Sequence, residues 1–325
     1  MTTLLDEPTT TNNPPTQRNQ IDSSQRLRAE MAAVRLSIHW PGTRKTLTPG
    51  QRDQAADTFG AEGNFLSAGK KLLDTGHPAW KACTQIRSRA TKLWQGLSLP
   101  WPEPGVRLIR REDISTCDQQ LAELRVELSE AVDDLNEHYE ELKDRARDRL
   151  GVLYNSEDYP ASLSDCFRLE WDFPSVEAPE YLRSLCPELY QAEQRRVQAR
   201  FEEAVQLAEK AFVAELSELV SHLSERLTGQ SDGKPKVFRD SAITNLQEFF
   251  ERFRHLNVTG NSALEELVSE AQGMLSGVTP GRLRTTATLR HQVAHDLEQV
   301  RNVLDGQFLE RPRRRIIRGG EGSSS

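Results

Sequence analysis

The sequence predicts a mainly α-helical protein, an elongated helical bundle or coiled-coil spine with a small β-hairpin region near its N-terminus. Three observations predict it. Ile114, Cys117, Leu121, Leu124, Leu128, Ala131, Leu135, His138 and Leu142 recur in steps of three and four, the heptad spacing that lines one helix face with a seam for another helix. A second run, from Pro187 to about Thr228, carries Val197, Phe201, Ala204, Ala208, Phe212, Leu216, Leu219, Leu223 and Leu227 on one stripe. The composition, 36% hydrophobic and 28% charged with a mean hydropathy of -0.64, suits long helices that bury one stripe and solvate the rest.

In chain order, residues 1–24 are rich in Thr, Asn, Pro and Gln and read as a disordered tail. Residues 25–112 read as a hairpin followed by short helices. Val34 to Trp40 alternates apolar and polar residues, Pro41-Gly42 is a turn, and Arg44 to Leu47 is a return strand. Pro49 and Pro78 each suit the first position of a helix. The second of these carries Trp80, Cys83, Ile86 and Ala90 on one face and stops at Gly96. Residues 97–112, with three prolines, read as an extended crossover. Residues 113–228 hold the two long helices, the first running from about Asp113 to Leu150, with an irregular connection between them. After Leu142 the seam continues through Ala146 and Leu150, and two successive steps of four suggest a stutter or a turn toward another partner. Residues 240–308 hold C-terminal helices: Ser241 to Leu256, then one opened by the capping-box pattern Ser262-Ala-Leu-Glu265, then one opened by Thr279-Pro280 with Leu283, Val293, Leu297, Val300 and Leu304 facing inward. Residues 309–325 form a basic and then Gly/Ser-rich disordered tail.

The net charge of -7 argues against a chain that coats nucleic acid throughout, yet leaves room for a local basic patch. Arg311, Arg313, Arg314, Arg315 and Arg318 form such a patch and are candidate phosphate contacts. The four cysteines are far apart and form no C-x-x-C pair, which argues against a zinc knuckle or a thioredoxin-type site and for reduced thiols in a cytoplasmic protein. There is no signal-peptide pattern and no apolar run of transmembrane length, so no membrane partner is expected.

Motifs that carry chemistry fail on detail. Gly63 to Lys71 looks like a phosphate loop, but five residues separate Gly63 from Gly69 where four are needed, and Lys71 stands where Ser or Thr should hold magnesium. His291 and His295 share a helix face at metal-ligand spacing, but Gln292 replaces the general-base Glu of a zinc protease, so a plain histidine pair is the simpler reading. None of the seven histidines follows a Glu by three residues, which removes a di-iron carboxylate site. His138 on the seam reads as a polar residue that fixes register. No catalytic residue, cofactor site or metal site is assigned.

Val34-Arg-Leu-Ser-Ile-His-Trp40 with Gly42, Arg44-Lys45 and Leu47-Thr48, then Phe65-Leu-Ser-x-Gly69-Lys-Lys-Leu72 and Arg87-Ser-Arg-Ala90, resemble the pattern of a family of uncharacterised helical proteins encoded by bacteria, their phages and plasmids. The resemblance covers about residues 34–260. Pro41 and the Arg-rich end depart from it. It implies a helical fold and supplies no catalytic set to carry over. Some relatives are encoded near MoxR-type AAA ATPases, so it also implies an ATPase partner.

The expectation is therefore a non-enzymatic interaction or scaffold protein acting through helix–helix contacts. Its partner is itself, another helical protein or that ATPase. The interaction seam is Leu121, Leu124, Leu128, Leu135 and Leu142 on one helix and Phe201, Phe212 and Leu216 on the other, the two helices packing antiparallel. The alternative is a nucleic-acid-associated accessory protein using the C-terminal arginines.

Overall fold

The computed structural model describes residues 15–228 and 240–308. The chain is mainly α-helical with a small antiparallel sheet. It divides into two compact units, residues 30–179 and residues 1–29 with 180–325. The first is a mixed α/β unit inserted, along the chain, into a helical one.

Helix α1 (Pro15–Glu30) opens the described chain. Residues 1–14 lie outside the described residues, and the helix covers residues 15–24 of the stretch expected to be disordered. The reason lies at the helix's far end, where Leu27 is fully buried and Ser23 and Ser24 are buried with it. Ser23 Oγ donates to the Thr259 carbonyl at 2.5 Å, and Gln198 donates to Ser24 Oγ at 2.9 Å. A helix that is too polar to bury a broad stripe is held here by long-range polar contacts.

In the mixed unit, β1 (Met31–His39) is central to a sheet ordered β4-β5-β1-β6, with β4 at Ser98–Pro100, β5 at Val106–Arg110 and β6 at Arg168–Asp172. All its pairings are antiparallel: Val34 sits opposite Arg107 on one side of β1, and Arg35 opposite Asp172 on the other. The expected hairpin is therefore not formed. The chain leaves β1 through an irregular stretch at 40–43, and β2 (Arg44–Thr46) pairs instead with β3 (Gly69–Lys71) in a separate two-stranded sheet, on either side of α2 (Pro49–Asp57). Thr48 and Gln51 cap α2 reciprocally. The expected crossover at 97–112 holds the β4–β5 hairpin. Its turn needs Gly105 at φ 81°, a left-handed backbone that favours glycine.

Helix α3 (Pro78–Gly96) packs on α4 (Ile114–Glu137), and both join one core with Val34, Ile109 and Leu169 of the sheet. The first long helix is not continuous. It breaks at His138, and α5 (Tyr139–Leu150) follows. The seam shifts by one residue before the break. Val132 is buried in preference to Ala131, and Tyr139 is 2% exposed while His138 stays half-exposed. A straight helix of 3.6 residues per turn drifts against a strict seven-residue repeat. Burial pushes the Tyr139 phenol up to about 12.

The helical unit is built on α7 (Pro187–Thr228), preceded by the short α6 (Tyr181–Leu185). Its stripe is buried from Val197 to Leu227, except that Val220 is buried in place of the expected Leu219, and packs against α8 (Ser241–Leu256) and α11 (Ala287–Val303). Phe212 meets Phe253 edge-on at 4.9 Å between centroids. Helix α9 (Ser262–Leu275) is capped by Asn261, which accepts from Leu264 N, one residue before the expected cap. The last expected helix is two, α10 (Pro280–Thr285) and α11, and the five residues expected to face inward are all buried. The two seam helices fall in different units, and within its own unit α4 packs on α3 and α7 on α8 and α11. Among the described residues no helix is long and apolar enough to cross a membrane.

Candidate interaction surface

Strand β6 lies at the end of the four-stranded sheet, so β1 pairs with one of its edges and no described strand pairs with the other. An open edge presents unpaired N–H and C=O groups, a template for a further strand. Period-two alternation sorts its side chains. Leu169 is buried and Trp171 packs partly against the same core, while Arg168, Glu170 and Asp172 face outward.

Each outward or edge residue has fixed geometry. Asp172 accepts from Arg35 in a two-pronged ion pair, Nε to Oδ1 at 3.0 Å and Nη2 to Oδ2 at 2.5 Å. That hydrogen bond holds the Asp172 carboxyl below the usual carboxylate range and raises the Arg35 guanidinium. Trp171 Nε1 donates to Asp118 Oδ1 on α4 at 2.8 Å, and the Arg125 guanidinium lies 4.9 Å from the Trp171 ring centroid. Helix α4 and β6 therefore form the walls of two clefts, of about 270 Å³ and about 740 Å³, and Arg125 and Glu170 line both. Among the described residues no group of three or more His, Cys, Asp or Glu side chains is placed to hold a metal ion. What the arrangement offers is backbone hydrogen bonding along an edge, flanked by charges of both signs.

Of the expected seam residues, Leu128 lines the smaller of these clefts and the others do not line either. Leu121, Leu124, Leu128, Leu135 and Leu142 are buried in the core of the mixed unit, and Phe201, Phe212 and Leu216 in that of the helical unit. Each stripe is satisfied within the chain. Arg311, Arg313, Arg314, Arg315 and Arg318 lie outside the described residues. The Gly63–Lys71 segment forms no phosphate cradle: β3 pairs antiparallel with β2, and Lys70 Nζ donates to the Leu153 carbonyl at 2.6 Å and lies 2.5 Å from Asp158. Lys45 reaches the same carboxylate at 2.5 Å, and these two lysines hold Asp158 below the usual carboxylate range. His291 and His295 are exposed on α11, with His295 Nε2 3.2 Å from Gln299 Nε2. His138 lies beside His77, ring centroids 5.1 Å apart.

Sequence reasoning passed over β6. Phe167, Leu169, Trp171 and Phe173 alternate with Arg168, Glu170 and Asp172 at a period of two, but the run lies inside a proline-punctuated stretch that reads as irregular. No family model, curated protein or solved structure matches this chain.

Proposed function

We propose that the protein is a non-enzymatic, self-associating interaction protein, and that its self-contact is made by the open edge of β6 rather than by the helical seam. The observation that carries this reading is the sequence Arg168-Leu-Glu-Trp-Asp172 on an edge that no described strand pairs with. Antiparallel pairing of two copies about Glu170 sets each Arg168 opposite the partner's Asp172, and each Leu169 opposite the partner's Trp171. Opposite charges and an aromatic–aliphatic contact are both favourable cross-strand pairs. The isologous arrangement closes as a two-fold dimer, so it does not grow into a filament. The single unfavourable pair is Glu170 against Glu170 on the axis. Charges on a free edge also bar indiscriminate pairing, so only the register that matches them is rewarded.

The test is solution mass by light scattering. Wild type is expected to be a dimer. Arg168→Glu and Asp172→Lys, each alone, are expected to give monomers, because each sets like charges opposite one another. Mixing the two variants restores complementary pairs on both strands and is expected to restore a dimer. A monomeric wild type, or variants whose mass equals that of wild type, overturns the proposal.

A further inference from the structure

Helix α3 carries Lys81, Arg87, Arg89 and Lys92 and not one Asp or Glu. Its core face holds Ala79, Cys83, Ile86 and Ala90. At 100° per residue, Lys81, Gln85, Ser88 and Lys92 fall within about 60° of one another on the opposite face. All four are exposed. The other two cations leave this stripe on either side. Arg89 pairs with Glu127 of α4, and Arg87 stacks on Trp40. The outward face of α3 is thus cations, a hydroxyl and an amide, in a chain whose net charge is -7.

The surface continues beyond the helix. A cleft of about 640 Å³ runs along α3 past Lys81, Ser88 and Lys92 to Thr75. Thr75 also lines a second cleft, of about 230 Å³, together with Lys71, Arg145 and Arg149. Opposite Lys71, in register across the two-stranded sheet, stands Arg44. Like charges directly opposite one another are destabilising. The neighbouring like pair, Lys45 opposite Lys70, is relieved by Asp158 at 2.5 Å from each. Arg44 and Lys71 are exposed, and neither has an acidic partner among the described residues. The same holds for Lys81 and Lys92. Asp74, the one carboxylate lining these clefts, is taken up by Arg149 at 3.0 Å and by the Gly76 N–H at 3.0 Å.

We infer that this track, Arg44–Lys71–Thr75–Lys81–Ser88–Lys92, binds the phosphate backbone of duplex nucleic acid without reading its sequence. Lys81 and Lys92 are about 16 Å apart along the helix, the rise of about five phosphates on one strand of a duplex. Lysines, a serine and a threonine are backbone contacts, which position a duplex but carry no base information. Among the described residues no exposed aromatic lines either cleft for bases to stack on, which favours a duplex over a single strand.

The experiment is fluorescence anisotropy of a labelled 20-base-pair duplex with the full chain, titrated at a series of salt concentrations. With four unpaired cations, the log–log slope of affinity against salt is expected to approach about -3.6. Lys81→Glu combined with Lys92→Glu is expected to weaken binding at least tenfold at low salt and to make the slope shallower by about 1.8, with the thermal midpoint of the fold unchanged. Deleting residues 309–325 is expected to leave that loss in place. No binding at low salt overturns the inference. So does a full loss of binding on deleting 309–325 with none from the lysine pair, which assigns contact to the C-terminal arginines. Binding to phosphatidylserine vesicles with none to the duplex also overturns it.

Discussion

Helices α4 and α7 look alike as sequence and end in different settings. Both carry apolar residues at heptad spacing. Yet α4 lies against α3 and a sheet and gives way at His138, whereas α7 runs 42 residues unbroken among helices. The difference teaches that seam spacing reports a buried stripe and not the partner that covers it. Where the partners are helices with their own stripes, one long helix can persist. Where the covering surface includes a sheet, as for α4, the helix gives way at His138, whereas α7 stays continuous through its own one-residue shift to Val220.

The sharpest way to break this comparison is to remove the aromatic contact in the helical unit. Phe212→Ala is expected to cost ~3–5 kcal/mol, read as a lowered midpoint in chemical denaturation, because Phe212 packs on both Phe249 and Phe253. Leu121→Ala on α4 is expected to cost ~2–5 kcal/mol by the same measurement, since Leu121 is fully buried. If either change leaves the unfolding free energy within ~1 kcal/mol of wild type, that stripe is not the core element described here. Asp158→Asn comes next. It leaves Lys70, 6% exposed, without its counter-charge. Because Asp158 is held below its usual range, its contribution is complete above the ordinary carboxylate pKa of about 3.9 and is lost as pH falls through the lowered folded value. The variant should therefore melt lower than wild type at neutral pH, and the gap should close in strong acid. A gap that is constant with pH would assign the effect to packing.

Two smaller effects sharpen the contrast at the helix ends. Asn261→Ala removes the side-chain cap of α9 and is expected to cost ~1 kcal/mol. Tyr139→Phe at the break in the other long helix should cost nothing, or stabilise by up to ~1 kcal/mol. Its hydroxyl is buried with no hydrogen-bond partner among the described residues. A clear loss on Tyr139→Phe would mean the hydroxyl is bonded after all.

Both stripes, the start of α7, the extent of α8 and the core face of α3 were legible because each is a local periodic signal. What was not legible depends on distance along the chain. Val34 to His39 announces a strand, but nothing nearby says that its partners are Val106 to Arg110 and Arg168 to Asp172. Proline-rich stretches misled twice: Ser98–Pro100 is too short to show alternation, and the alternation from Phe167 to Phe173 around β6 is masked by the prolines that flank it. The helix over Pro15–Glu30 was hidden by its polarity: its docking rests on Ser23 and Ser24, whose partners are Thr259 and Gln198. The cationic face of α3 was legible in composition, but its continuation through Lys71 to Arg44 needed the register of β2 and β3.

The path of the chain through its two units sets an order of biosynthesis. Every strand of the four-stranded sheet has left the ribosome once Asp172 is out, so residues 30–179 can complete their fold while the helical unit is still being translated. Helix α1, made before the inserted unit, must wait for Thr259, 236 residues downstream of Ser23, before that contact can form. The order of synthesis is thus the reverse of the order in which the two can be completed, as low sequence separation favours the inserted unit.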